Sequence, residues 1–431
     1  MRKSQKVLKE LSNKLVEFQK PIRILDAIKW DHSIFNDFKH SNFKSLPKIG
    51  PQYYLQTDLG FDPKQKKIEF NELKKEIDLK LNGHPAKKII SPCCNEYIRV
   101  IEMLEARGTK RFYEISKELY GSYNDYFLDN KTTTRQLAHL LKSILDVVNF
   151  KQITFSEIRE RNNEKTIPSS EVVKILNKRL NKYFHSHQIT VLLDDGIVSD
   201  AAAGSNYIKI KKDIFFSKRE LEIFEVHEGW VHVGTTLNGL SQKYCTWLSK
   251  GTPTTTAIQE GLAILMEIFM FVSSPQRAER INNRVIACEM AEKGANFLEV
   301  YNYFRSQGAG EESSFLQAQR IFRGGIIEGG APFTKDLVYC KGFVTLYNFL
   351  RTAVKLGKTE LVLFLFSGKV KIEDLPILYE LYLDKTLTLP KYVPAQFQDL
   401  RGISTWMAFS NFFNKMDLEL IQENIKLQIA S

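Results

Sequence analysis

Two histidines bracket a glutamate in His227-Glu228-Gly229-Trp230-Val231-His232, and another glutamate follows in Gln259-Glu260-Gly261-Leu262-Ala263. Imidazole nitrogens and carboxylate oxygens are the ligands of a catalytic zinc site, in which three side chains hold the ion and a fourth position stays open for water. A carboxylate outside the ligand set can then take that water's proton. His227, His232 and Glu260 are therefore candidate ligands for Zn2+, and Glu228 is the candidate general base of a metal-dependent hydrolase. Such a string arises by chance in about one chain of this length in a hundred, so its surroundings must decide.

Ser217-Lys218-Arg219-Glu220 has the spacing of a capping box, in which a Ser oxygen and a Glu side chain each satisfy a free amide at a helix start. It predicts a helix running through His232 and stopping near Asn238-Gly239. Leu221, Phe224, Glu228 and His232 fall close to one line on that helix. An acid and an imidazole in line with core residues argue against a solvated face. The spacing also raises an objection. Residues at i and i+5 lie about 140° apart on an α-helix, so His227 and His232 could not share one ion. A single π-turn inserts one residue and puts i+5 in the place of i+4, and Gly229 offers backbone freedom there. A local widening between the two histidines is expected.

The next helix must bring the third ligand. Lys250-Gly251-Thr252-Pro253 breaks the chain, and Thr252 or Thr256 can cap a new helix. Ile258, Leu262, Leu265 and Phe269 form its core stripe. Glu260 lies on the other side with Ile264, Glu267 and Phe271, and Glu267 is placed to orient a ligand.

Further from these motifs the chain reads as α+β and predominantly helical. Val7, Leu8, Leu11, Leu15 and Phe18 have helical spacing within residues 1–30, residues 40–70 are rich in Pro and Gly turns, and helical patterns return over 96–150. Ile189–Leu193 and the alternating Tyr207-Ile208-Lys209-Ile210-Lys211 predict a small sheet next to the histidine helix, with Ala201-Ala202-Ala203-Gly204 between them. A boundary near residue 150 would separate a mostly helical lobe with a loop-rich segment, 1–150, from a metal-binding catalytic lobe, 151–431.

The 431 residues are 43% hydrophobic and 26% charged, with a formal net charge of +11. Within residues 1–50, Lys and Arg outnumber Asp and Glu by 11 to 5. The excess favours acidic partners, but no arginine-rich run, finger spacing or RNA-binding signature supports a nucleic-acid partner. The five cysteines are scattered without a Cys-x-x-Cys pair, which suits reduced thiols in a cytoplasmic protein. Cys93-Cys94 lacks a motif partner, and His185 and His187 read as loop or surface residues. The most apolar stretch, Gly261 to Val272, is interrupted by Glu267 and is too short to span a bilayer.

The paired motifs His227–His232 and Thr256–Ala263, with Arg320-Ile321-Phe322-Arg323-Gly324-Gly325 and Phe333–Tyr339, resemble the QEGLA-motif family. Its bacterial members are labelled flavohemoglobin expression-modulating proteins, and its eukaryotic relatives are the microtubule-associated tyrosine carboxypeptidases, which remove the terminal Tyr of α-tubulin. The resemblance covers roughly residues 150–350. It implies a zincin-like lobe, zinc held by His227, His232 and Glu260, and Glu228 as base. A zinc carboxypeptidase acting on a peptide or protein C-terminus is then expected, with strand 207–211 pairing to the substrate backbone. Arg320, Arg323 and Lys335 are candidates to meet a terminal carboxylate, and Tyr339 to donate to the oxyanion. Arg320 and Arg323 equally suit a structural role at a helix end before Gly324-Gly325. The competing expectation is a binding protein that retains the zinc fold without catalysis.

Overall fold

The N-terminal helix runs only over Lys3–Gln19, because Pro21 lies just beyond its end and has no N–H with which to continue the helical hydrogen bonds. Leu8, Leu11 and Leu15 are fully buried on one face. The turn-rich segment is shorter than the sequence predicts. Asp62-Pro63 starts a helix rather than a turn: the Asp62 carboxylate caps the amides of Lys64 and Gln65, and Pro63 opens the helix Pro63–Lys80. Helices Lys87–Glu105, Lys110–Tyr120 and Thr134–Val147 come next.

The computed structural model describes residues 2–147, 164–185 and 187–425. The expected boundary near residue 150 falls on 148–163, outside the described residues. Residues on both sides of it, from Leu8 to Met407, contribute to one large buried apolar cluster.

The described β-structure is small. A two-stranded ribbon pairs β1 (Ile167–Pro168) with β5 (Phe215–Phe216). A three-stranded sheet has the order β2-β4-β3, with β2 at Thr190–Asp194, β3 at Ala201–Ala203 and β4 at Tyr207–Lys211. β4 is central, parallel to β2 and antiparallel to β3. Both its edges are taken, so the expected pairing of 207–211 with substrate is corrected: the edge on that side belongs to β3. The helix Ser169–Tyr183 covers the sheet, and Val172, Leu176, Leu180, Ile208, Ile210 and Phe216 form a second, smaller core. The rest is helical, so the molecule is α+β and predominantly helical.

The histidine segment lies where the two cores meet. Phe224, Val233 and Leu237 enter the small core, Val226 and Val231 enter the large one, and Trp230 packs against both. A short stretch of helix thus has apolar anchors on two sides, which fixes its rotation about its axis.

Candidate metal centre

The capping box at Ser217 is formed as expected: Ser217 Oγ accepts from the Glu220 amide, and the Glu220 carboxylate accepts from the Ser217 amide. From it the chain winds as α-helix over Lys218–Phe224, as π-helix over Glu225–Val233, and again as α-helix over Gly234–Leu240. The widening demanded by the i, i+5 spacing is therefore present, and it spans both histidines. Gly229 contributes differently from the expectation. Its φ is not positive, but a Cβ there would sit 2.5 Å from Leu180 Cδ2, so the missing side chain makes room for the small core.

The next helix, Pro253–Phe269, starts after Thr252 with Pro253 in its first turn. Its Gly261 crosses Gly342 of the helix Val338–Lys355 so closely that an added Cβ would lie 2.2 Å from the Gly342 carbonyl carbon. That close approach, rather than chain flexibility, explains the glycine of Gln259-Glu260-Gly261-Leu262-Ala263.

His227, His232 and Glu260 converge, with one ligand-type atom from each all lying within 4.8 Å of one another. Glu260 Oε2 is 3.4 Å from His227 Nε2 and 3.5 Å from His232 Nε2. The two imidazole rings stand nearly perpendicular, their centroids 4.8 Å apart. Glu260 Oε2 is buried and has no hydrogen-bond partner. An orphaned carboxylate oxygen among imidazole nitrogens is costly unless something cationic completes it. Two neutral imidazoles and a carboxylate form a donor set that suits Zn2+, so these residues fit the ion.

The supports run outward from this cluster. His227 Nδ1 lies 2.7 Å from Glu267 Oε1, and Glu267, fully buried, accepts two hydrogen bonds from Arg277. Burial alone would raise Glu267, but Arg277 and His227 bring its carboxyl down to about 2. Burial likewise opposes ionised Glu260, yet Lys335, His227 and His232 hold it well below the usual carboxylate range. Glu228 stays outside the cluster. Its Oε1 is 4.0 Å from His227 Nε2, and its Oε2 accepts from the backbone amide of Ala203 at 2.9 Å. The Gly204 amide bonds back to Tyr207, whereas that of Ala203 leaves the sheet edge for the carboxylate.

The motifs said nothing of Lys369. Its ammonium donates to the His232 carbonyl, the Thr235 hydroxyl and Gln259 Oε1, tying the π-helix to the Glu260 helix. Burial pulls Lys369 down to about 7, against the opposing pull of Glu260 and Glu228. Nothing in Ser367-Gly368-Lys369 announces this.

A cavity of about 920 Å3 opens onto the cluster, and its lining includes β3, Glu228, Arg320, Arg323, Lys335 and Tyr339. Lys335 Nζ lies 3.7 Å from Glu260 Oε1 and 5.6 Å from the Tyr339 ring centre. Arg320 makes a bidentate pair with Asp336, at 2.7 and 2.9 Å, so two of its donors are already engaged. Arg323 lies just past the last turn of the helix Glu311–Phe322, buried, with its guanidinium 5.9 Å from the Phe333 ring centre. Reasoning from motifs also missed Arg277, Arg280 and Arg284, all of which line the cavity. Their spacing along the helix Pro275–Glu292 was the available signal, since i, i+3 and i+7 share one face. His185 and His187 lie elsewhere, with His187 Nδ1 2.6 Å from the Tyr392 hydroxyl. Cys93 and Cys94 are buried, and burial pushes the Cys94 thiol up to about 12.

Residues 36–415 match the model of the microtubule-associated tyrosine carboxypeptidases. The chain belongs to that family. The match spans both motifs and the arginine segments, and it makes a carboxypeptidase-type activity the family's property. No curated protein matches the sequence. A solved structure from Colwellia psychrerythraea, named as a lipoprotein, is 14% identical over 87% of this chain and 70% of its own, with a TM-score of 0.44. That likeness is too loose to carry an argument. Among the described residues no helix is long and apolar enough to cross a membrane.

Proposed function

We propose that this chain is a zinc-dependent carboxypeptidase with a zincin-like lobe, in which His227, His232 and Glu260 hold the ion and Glu228 is the general base. The observation that carries the reading is the buried, partnerless Glu260 Oε2 between two imidazole nitrogens. Zinc, when bound, would supply an activated water and polarise the scissile carbonyl. The chain's own residues supply the rest. Glu228, aimed by the Ala203 amide, takes the water's proton and passes it to the leaving amine. Glu267 and Arg277 fix the tautomer and rotation of His227. The outer edge of β3, where the Ala203 amide holds Glu228 and the Ala201 carbonyl accepts from Ser199, would offer its remaining main-chain groups to an extended peptide. Basic residues outnumber acids along the cavity, which favours an acidic peptide end.

The test combines metal analysis with a peptide panel that includes tyrosine-ended sequences, monitored for loss of one C-terminal residue with and without chelator. One equivalent of zinc and chelator-sensitive trimming are expected. Zinc without cleavage of any peptide would instead favour a non-catalytic binding protein. Glu228→Gln should retain zinc while kcat falls by about a thousandfold, within the range of a lost general base. Near-native turnover would remove Glu228 from that role.

A further inference from the structure

The ammonium of Lys369 directs its donors at three neutral oxygens: the His232 carbonyl at 2.9 Å, the Thr235 hydroxyl at 3.0 Å and Gln259 Oε1 at 2.9 Å. An ammonium has three donors and no acceptor, so its bonding capacity is filled. Glu260 and Glu228 act on it through space alone. A lysine drawn out of water is ordinarily held by a carboxylate. This one is held by acceptors that belong to, or adjoin, two candidate metal ligands, since Thr235 lies one turn past His232 and Gln259 directly precedes Glu260.

The base of the side chain is fixed as firmly. The Lys369 amide donates to the Leu248 carbonyl at 2.7 Å, and a Cβ on Gly368 would lie 2.3 Å from that same oxygen. The Gly368 carbonyl accepts from Gln259 Nε2 at 3.3 Å. Gln259 is thus gripped at both ends of its amide by two consecutive residues. The Phe366 carbonyl accepts from Asn238 on the helix Gly234–Leu240, which tethers the same strap to the far end of the histidine helix. These contacts meet the chain where its pitch changes: π-helix ends at Val233 and α-helix resumes at Gly234. The His232 carbonyl, just before that change, receives the Thr236 hydroxyl at 2.8 Å as well as the ammonium. A π-helix is a rare backbone form, so the wide turn that brings His232 round to His227 gains from support outside its own ladder.

We propose that Lys369 is a positioning residue of the metal site, locking the His232 turn of the π-helix to the Glu260 helix so that both ligands stand at their places before an ion arrives. The inference rests on the metal reading of the cluster, and on neither catalysis nor any substrate. Ligands already held need not be ordered at the moment of binding, which raises affinity. Charge and geometry make opposite demands here. A cation beside the site repels a dication, so removing it would, on charge alone, tighten metal binding or leave it unchanged. Removing a clamp weakens it.

The test measures zinc affinity of the full chain by competition with a chromophoric chelator, together with the visible absorption of the cobalt-loaded protein. Lys369→Met keeps the reach of the side chain and removes its donors. It should weaken zinc by about tenfold or more, the range for loss of an outer partner, and shift the cobalt bands. Gln259→Met removes one acceptor and should weaken zinc by less. Because both act through one clamp, the double variant should bind no more weakly than Lys369→Met alone. Unchanged or tighter affinity in Lys369→Met, cobalt bands that stay in place, or two losses that add overturns the proposal. If Lys369→Met does not fold, unchanged affinity in Gln259→Met overturns it by itself. Wild-type protein that takes up no zinc sinks the metal reading and this inference together. Zinc-binding wild type with an indifferent Lys369→Met sinks the inference alone.

Discussion

His227, Glu228, His232 and Glu260 come from two helices that succeed one another along the chain, whereas Arg284, Arg320, Arg323 and Asp336 are gathered from three separate segments. The first group is rich in acids and leaves a carboxylate oxygen without a partner; the second is rich in cations and leaves guanidinium donors without one. Both imbalances are buried, and each is of the sign that a ligand would correct. Structural ion pairs elsewhere in the molecule close on themselves. Lys14, Glu76 and Lys80 form a compact surface set, and Arg401 pairs with Asp399 two residues away. Uncompensated charge thus faces the cavity from both sides.

The sharpest way to break this comparison is Asp336→Asn. The substitution is nearly isosteric but leaves three buried guanidiniums facing no anion. Removing one partner of a buried ion pair costs about 3–5 kcal/mol, so a large drop in the denaturant midpoint is expected, with zinc stoichiometry unchanged in the protein that still folds. If Asp336→Asn is as stable as the wild type, the arginine charges are balanced elsewhere and the pocket loses its claim on an anion.

Glu267→Gln addresses the metal side with a smaller effect. The amide cannot keep both Arg277 bonds and still present a full charge to His227 Nδ1. Loss of such an outer partner weakens zinc binding by about 10–100-fold, measurable by competition with a chromophoric chelator. Unchanged affinity would reduce Glu267 to packing. The contrast with Asp336→Asn sharpens the comparison: Glu267→Gln also strips a buried arginine of its anion and so costs stability, but it alone should weaken zinc binding, whereas Asp336→Asn should cost stability with zinc binding kept.

This division also explains what could be read from the chain. The capping box at Ser217, the break before Pro253 and the His227–His232 spacing are local, and local backbone rules turned them into a π-helix and then an α-helix carrying Glu260. Gly229 and Gly261 were visible as positions but not as reasons, because what each avoids, Leu180 or Gly342, lies far off in sequence. Lys369 reaches His232 across 137 residues, and Arg320 finds Asp336 only through a 3-10 turn at Thr334–Leu337. The sheet was misread in one respect for the same reason. Tyr207–Lys211 alternates as a strand with one wet face would, and its burial alternates accordingly, but alternation does not say which strand lies at the edge, and the alanines of β3 take the outer position.

Ala203→Pro probes that last point, and its expected effect is the smallest. Proline removes a single N–H, the one that Glu228 Oε2 accepts, and an edge strand tolerates the loss when that amide points away from its neighbour. A hydrogen bond to a charged group is worth about 1.5–3 kcal/mol, so kcat on any peptide the wild type trims should fall by about tenfold or somewhat more, with KM and zinc affinity unmoved. Ala203→Gly keeps the amide and should remain near wild type. A rise in KM or a loss of zinc affinity alongside the fall in kcat would mean that β3 had shifted bodily, and a kcat equal to wild type would mean that Glu228 is aimed by the π-helix alone.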